Sequence, residues 1–402
     1  MFVNAGSGNP MFVNAGSGNP TPTSLPEYVS PEEKYSFFLT KPQTNQEPHM
    51  SADPSNLLPI AEPTQILFKG HEAWVTCVSI SPNGEWIASG SKDGAIKLWN
   101  PLTGTCLRTF KGYKDCIVSL SFSSNSQLIA VCYRDGTVEL WNTNVHGWFE
   151  NRRARTWINK KDRKPFYSNH CIRFSPDGTK IAVSDNLKKT VQILDTKRGR
   201  CSLELAGHSS IVSSLAFFPD GNHLISGSYD GSIKIWKLHN GACLRSFVPN
   251  GRRIGSLDIS PDGELIVFCE NSTIITILKK ETGELEKRIE STGRADKRVL
   301  SVVFSPDKKW LVSSKEDGTI TIWKRKNWQP TRNYQEMRTP ITSMAFSPNG
   351  RYLVFNTFIS SLDPDYQKYR ETEEQKFRFA LLDFGHPHLG CVHPIEALFA
   401  AI

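Results

Sequence analysis

The chain has 402 residues, 38% of them hydrophobic and 22% charged, with a formal net charge of +8 and a pI near 8.9. This balance suits a soluble globular protein, and its length without an obvious second core points to repetition. No apolar run reaches the roughly 18 to 20 residues of a membrane helix and no secretory signal opens the chain, so the expected compartment is cytoplasmic, with the nucleus as the alternative, and no membrane insertion is expected.

The decapeptide MFVNAGSGNP stands at Met1–Pro10 and again at Met11–Pro20. So short a perfect copy reads as a recent duplication or a cloning scar and carries no fold information. On to residue 63 the chain is rich in Pro, Ser, Thr, Asn and Glu, too polar to offset its ordering entropy, and residues 1–63 are expected to be a disordered arm. Within it "PEEKYSFFL" (31–39) has the aromatic and acidic character of a short helix formed on a partner, or of a plain linker.

After Gln65 the pattern turns to short apolar alternations separated by turns, the signature of β-structure. One turn recurs as "SPNG" at Ser81, "SSNS" at Ser123, "SPDG" at Ser175, "FPDG" at Phe218, "SPDG" at Ser260, "SPDK" at Ser305 and "SPNG" at Ser347. Seven copies at spacings of about 42 residues define a four-stranded unit, and the interval after Ser123, about ten residues longer, requires an insertion. Unit one runs "WVTCVSI", "PNG", "EWIASGS", "KDG", "AIKLW", then "CLRTF" as a fourth strand. The nine cysteines contain no CxxC pair, and Cys77 and Cys171 fall within strands, so they read as reduced packing residues. Cys106, Cys201 and Cys243 share one place in the fourth strand, which suggests packing between units.

Gly70-His71, Asp93-Gly94 and Trp99-Asn100 in unit one, with Gly207-His208, Asp230-Gly231 and Trp236-Lys237 in unit four, resemble the marks of a WD repeat. Partial matches occur at Asp135 with Trp141 and at Asp317 with Trp323, while units three, five and seven end in Leu194, Leu278 and Leu382. The resemblance covers residues 64–384, about 80% of the chain. It implies an all-β, seven-bladed β-propeller. It also implies hydrogen-bonded sets of His71, Asp93 and Trp99 with Ser89 or Ser91, and of His208, Asp230 and Trp236 with Ser226 or Ser228. Buried carboxylates and indoles need such partners, and sets spread over separate blades do not converge on a catalytic pocket. "FRFALLDF" near the C-terminus reads as a third strand and "QILFKG" from Gln65 as a fourth, so the two ends should complete one blade and remove its open edges.

Residues 385–402 have no place in this scheme and are expected to form a tail. Its His386, His388, Cys391 and His393 match no standard metal spacing, and no metal or other cofactor is expected. No phosphate loop, nucleophile elbow, HExxH or paired carboxylate occurs, which argues against an enzyme.

The family's usual binding face would carry Trp74, Lys92, Arg134, Tyr229, Arg253, Arg298 and Glu316, where aromatic groups stand beside cations. The enlarged segment from Trp148 to Tyr167 adds Arg152, Arg153, Lys160, Lys161, Arg163 and Lys164 among aromatics, with a fourth strand expected near "ARTWIN"; a solvated loop is the simpler reading of the rest. Residues 360–375 form a second enlargement. The function expected is a non-catalytic scaffold presenting a partly basic face to acidic or phosphorylated segments or whole domains of other proteins in a complex. The alternative is a nucleic-acid-associated propeller that uses the loop 148–167 on phosphates.

Overall fold

A computed structural model describes residues 65–112, 115–143, 153–157, 171–270, 272–292, 297–334, 339–358 and 377–383. Their strands form seven four-stranded antiparallel sheets. Six are consecutive in sequence and the seventh joins both ends of the described chain. The expectations for the arm 1–63, the tail 385–402 and the enlargement 360–375 fall outside the described residues.

Blade 1 shows why these residues make this element. Its inner strand Val75–Ile80 is buried except at the half-buried Thr76 and Ser79, and its second strand Ile87–Ser91 is buried throughout. The outer strand of blade 6, Gln329–Tyr334, is almost wholly exposed. A sheet graded in this way is covered on both faces near the ring's axis and wetted at its rim. The apolar clusters accordingly straddle neighbours: Leu98 and Phe110 of blade 1 pack with Ile117 and Tyr133 of blade 2, and Ile225 of blade 4 packs with Phe268 of blade 5.

The recurring turn has a common construction. Ser81 Oγ donates to Asn83 Oδ1 at 2.6 Å and accepts from the Trp86 N–H at 2.9 Å; Ser175 makes the same pair of bonds with Asp177 (2.5 Å) and Lys180 (2.9 Å). Ser81, Ser175, Ser260 and Ser305 are buried, which is why the Ser-Pro pairs serve as turn elements. Gly84, Gly178 and Gly263 take the left-handed conformation the last turn position requires, and Ser126 and Lys308 take it without glycine's freedom in blades 2 and 6.

Blade 7 closes the ring. Its third strand, Phe377–Asp383, pairs with Tyr352–Phe358 on one side and with Gln65–Lys69 on the other, in the register Phe68↔Phe379. Phe68 stacks on Phe379 with centroids 4.4 Å apart and meets the edge of Trp99 at 5.8 Å, so the closing strand also packs against blade 1. One sequence expectation is corrected. Cys106, Cys201 and Cys243 are exposed rather than packed between blades. Each pairs with Trp99, Leu194 or Trp236 beside a register shift, where the bulge leaves the outer strand facing water.

Phe68→Ala is expected to lower stability by about 3 to 5 kcal/mol in urea melts, and truncation through Gly70 to unfold the ring. An unchanged melt after that truncation would refute shared-blade closure.

Candidate functional site

Blades 1 and 4 contain matching polar chains. Ser89 Oγ receives the Trp99 indole N–H at 2.8 Å and bonds His71 Nε2 at 2.7 Å, while His71 Nδ1 bonds Asp93 Oδ2 at 3.0 Å. In blade 4 the same bonds join Trp236, Ser226, His208 and Asp230 at 2.8, 2.7 and 2.9 Å. Ser91 and Ser228 stand outside this relay: each hydroxyl receives the N–H of its aspartate, and Ser91 donates to the Ala73 carbonyl. Burial alone would raise the Asp230 carboxyl, but donors from Ser232, Ser209 and His208 outweigh it and hold the group down to about 2. Burial depresses His208, against the pull of Asp230.

The other blades fill the same space with different chemistry. At the place of Ser89, blades 3, 5 and 7 have Val183, Phe268 and Phe355, and at the place of Trp99 they have Leu194, Leu278 and Leu382, so donor and acceptor are both replaced by apolar groups. In blade 2 the buried Glu139 accepts from Tyr133 Oη at 2.8 Å and from the Trp141 indole at 3.1 Å. In blade 6 Trp323 donates to Ser313 at 2.9 Å, and the fully buried Lys315 donates to the Thr292 carbonyl at 3.0 Å.

The inner strands surround a central channel with a cavity of about 930 Å³. Of the seven residues nominated for the binding face, Trp74, Lys92, Tyr229, Arg253 and Arg298 line it, whereas Arg134 and Glu316 do not. Arg134 is paired with Asp115 at 2.8 Å, and Arg298 grips Glu316 through both its Nε and its Nη2. Lys92 and Arg253 have no carboxylate partner among the described residues. The Lys92 ammonium lies 3.7 Å from the centroid of the exposed Trp74 ring, and Arg253 lies 5.4 Å from that of Tyr229. The mouth therefore offers two aromatic–cation pairs with their charge uncompensated.

The basic segment 148–167 is described only at Arg153–Trp157, which is the fourth strand of blade 2. Arg153 thus belongs to that strand, paired with Trp141, rather than to a loop; Arg152, Lys160, Lys161, Arg163 and Lys164 lie outside the described residues.

Two channel residues were not singled out in the sequence. Ser79, Ser121, Arg173, Ala216, Asp258, Val303 and Ala345 hold equivalent positions on the seven inner strands, each opposite an Ala, Val or Ile of the second strand. Five are small or neutral; Arg173 and Asp258 are the exceptions. The Arg173 guanidinium donates to the Ile172 carbonyl at 2.8 Å, and Asp258 Oδ2 accepts the Phe304 N–H at 2.8 Å. Enclosure by the channel pushes the Asp258 carboxyl up to about 6, against its backbone donors and the nearby Arg173 charge. In the sequence both stand two residues before the recurring turn, a position that is uncharged in the other five repeats.

The WD domain, G-beta repeat profile matches residues 62–100, 104–142, 199–237, 286–324 and 328–363. The chain is 35% identical over 294 residues to the small ribosomal subunit protein RACK1y of Oryza sativa subsp. japonica, covering 70% of this chain and 83% of that one. The chain belongs to the WD-repeat family. It is 28% identical over 207 residues to periodic tryptophan protein 2 of Arabidopsis thaliana, with 51% of this chain and 22% of the relative covered. With the mouse ribosome biogenesis protein BOP1 it shares 25% over 354 residues, spanning 67% of this chain and 48% of that one. The chain thus spans about a fifth to a half of the length of these last two WD-repeat relatives. Most of blades 3 and 5 lies outside the matched segments.

Asp230→Ala should orphan buried donors and cost about 1 to 3 kcal/mol in chemical denaturation. The pH dependence follows from the two depressed groups. Because the native pKa of His208 is below its ordinary 6.5, its contribution is complete above that value and is lost as pH falls through the depressed one. Asp230 adds a second loss between 3.8 and about 2. Melting temperatures between pH 7 and 5 should fall less steeply in His208→Asn than in the parent.

Proposed function

We propose that this WD-repeat propeller is a non-catalytic interaction platform whose channel mouth takes acidic segments of partner proteins. The carrying observation is the pairing of Lys92 with Trp74 and of Arg253 with Tyr229 around the opening: flat apolar rings that can bury area, topped by cations without carboxylate partners. Arg134 and Arg298 frame the site, but Asp115 and Glu316 offset their charge. In this reading residues 64–384 are the propeller, residues 1–63 an arm that tethers further partners, and residues 385–402 an appended tail.

The names of the relatives, a small ribosomal subunit protein and a ribosome biogenesis protein, favour work within a ribonucleoprotein assembly, and with it the nucleus beside the cytoplasm as a place of action. They also support a second reading, in which the basic aromatic segment 148–167 contacts RNA phosphates.

Trp74→Ala is expected to weaken capture of an acidic partner by about 2 kcal/mol, roughly thirtyfold, with an unchanged melt. Joint neutralisation of Arg152, Lys160, Lys161, Arg163 and Lys164 should leave that affinity intact. If it abolishes binding, and log affinity for an RNA oligomer falls with log salt by about 0.7 per phosphate contact, the second reading replaces the first.

A further inference from the structure

The inner strands run from the mouth inward, and the ring of equivalent positions that holds Arg173 and Asp258 lies four residues, roughly 13 Å, beyond the first strand residue in blades 1, 2, 4 and 6, as Ser79 lies beyond Val75. Of the Arg173 guanidinium's N–H groups, those not given to the Ile172 carbonyl have no protein acceptor among the described residues, and the side chain is exposed within the channel. Asp258 stands two blades further round the same ring, across the small Ala216, and no ion pair joins it to Arg173. Its Oδ2 is held by the Phe304 N–H of the next blade, which fixes the carboxylate in the wall. The cavity is continuous from Trp74 and Arg253 at the mouth to this ring.

Resting on the reading above, we propose that the channel is a selectivity site in which Arg173 binds one side-chain carboxylate of an inserted acidic peptide, while Asp258 repels more highly charged groups. A guanidinium with open donors meets a carboxylate in a planar, two-bond geometry. A phosphate monoester carries about −1.5 to −2 charge at neutral pH and would face the Asp258 charge at the same level, so the second charge is the one the site opposes. Ser79, Ala216 and Ala345 leave the ring open to an extended chain, and the cations at the mouth draw that chain inward.

The test is fluorescence anisotropy of the full chain with a labelled hexaglutamate peptide, a phosphoserine peptide of equal length and a single-stranded RNA oligomer. Arg173→Met should weaken hexaglutamate binding about tenfold or more, with Arg173→Lys in between, and Asp258→Asn should raise affinity for the phosphoserine peptide more than for hexaglutamate. If Arg173→Met unfolds the protein, Arg173→Lys and the selectivity change in Asp258→Asn still decide. Hexaglutamate binding lost in Trp74→Ala but unchanged in the Arg173 variants would overturn the channel site and leave the mouth reading standing. Failure of the parent to bind hexaglutamate while it binds RNA would overturn both.

Discussion

A blade of this protein has two apolar faces and cannot cover either by itself. Its second strand is buried along its whole length in blades 1 and 5, and the side chains that bury it come from the blades before and after. A row of such sheets leaves two bare faces unless it bends back on itself. Ring closure is therefore a condition on every blade, and the strand Gln65–Lys69 meets it by crossing from the start of the chain to the sheet at its end. Phe68, seated between Phe379 and Trp99, carries that requirement into side-chain packing.

Within this constraint the polar chains of blades 1 and 4 are one solution among several. The space beneath each blade's upper turn must be filled and its buried donors satisfied. His71 with Ser89 and Asp93 satisfies it with an imidazole, Tyr133 with Glu139 uses a phenol, Lys315 uses an ammonium, and blades 3, 5 and 7 remove the donors. An apolar replacement of both partners costs little, whereas removing one leaves a buried group unpaired. That asymmetry explains how four chemistries coexist in one ring, and why a single-residue change at Asp230 is more disruptive than the wholesale exchange seen in blade 5.

The repeat, its seven copies and the shared blade were legible in the sequence because they rest on periodic turns and alternation, which act locally. So were the groups of the relay in blades 1 and 4, where the marks are complete. Glu139 and Lys315 were not, since a charged residue in a strand reads as solvent-facing until the neighbouring blade is seen to cover it. The exposed Cys106, Cys201 and Cys243 were misjudged for the complementary reason: recurrence at one position marks a shared backbone geometry, here a bulge, and says nothing of burial.

The proposed binding face divides along similar lines. Position in the repeat was enough to nominate Trp74, Lys92, Tyr229 and Arg253, but only side-chain geometry separates these from Arg134 and Arg298, whose charge is taken up by Asp115 and Glu316. The net charge of +8 is thus a poor guide to where an anion would bind, because paired cations on a surface contribute little field of their own. What matters is a cation held in place without a carboxylate: at the mouth an aromatic ring does the holding, and deeper in the channel the Ile172 carbonyl restrains Arg173 while leaving most of its donors facing the cavity. Held in place without a direct ion pair and partly shielded from bulk water, such a charge interacts more strongly with an opposite charge brought near it than an exposed surface lysine does.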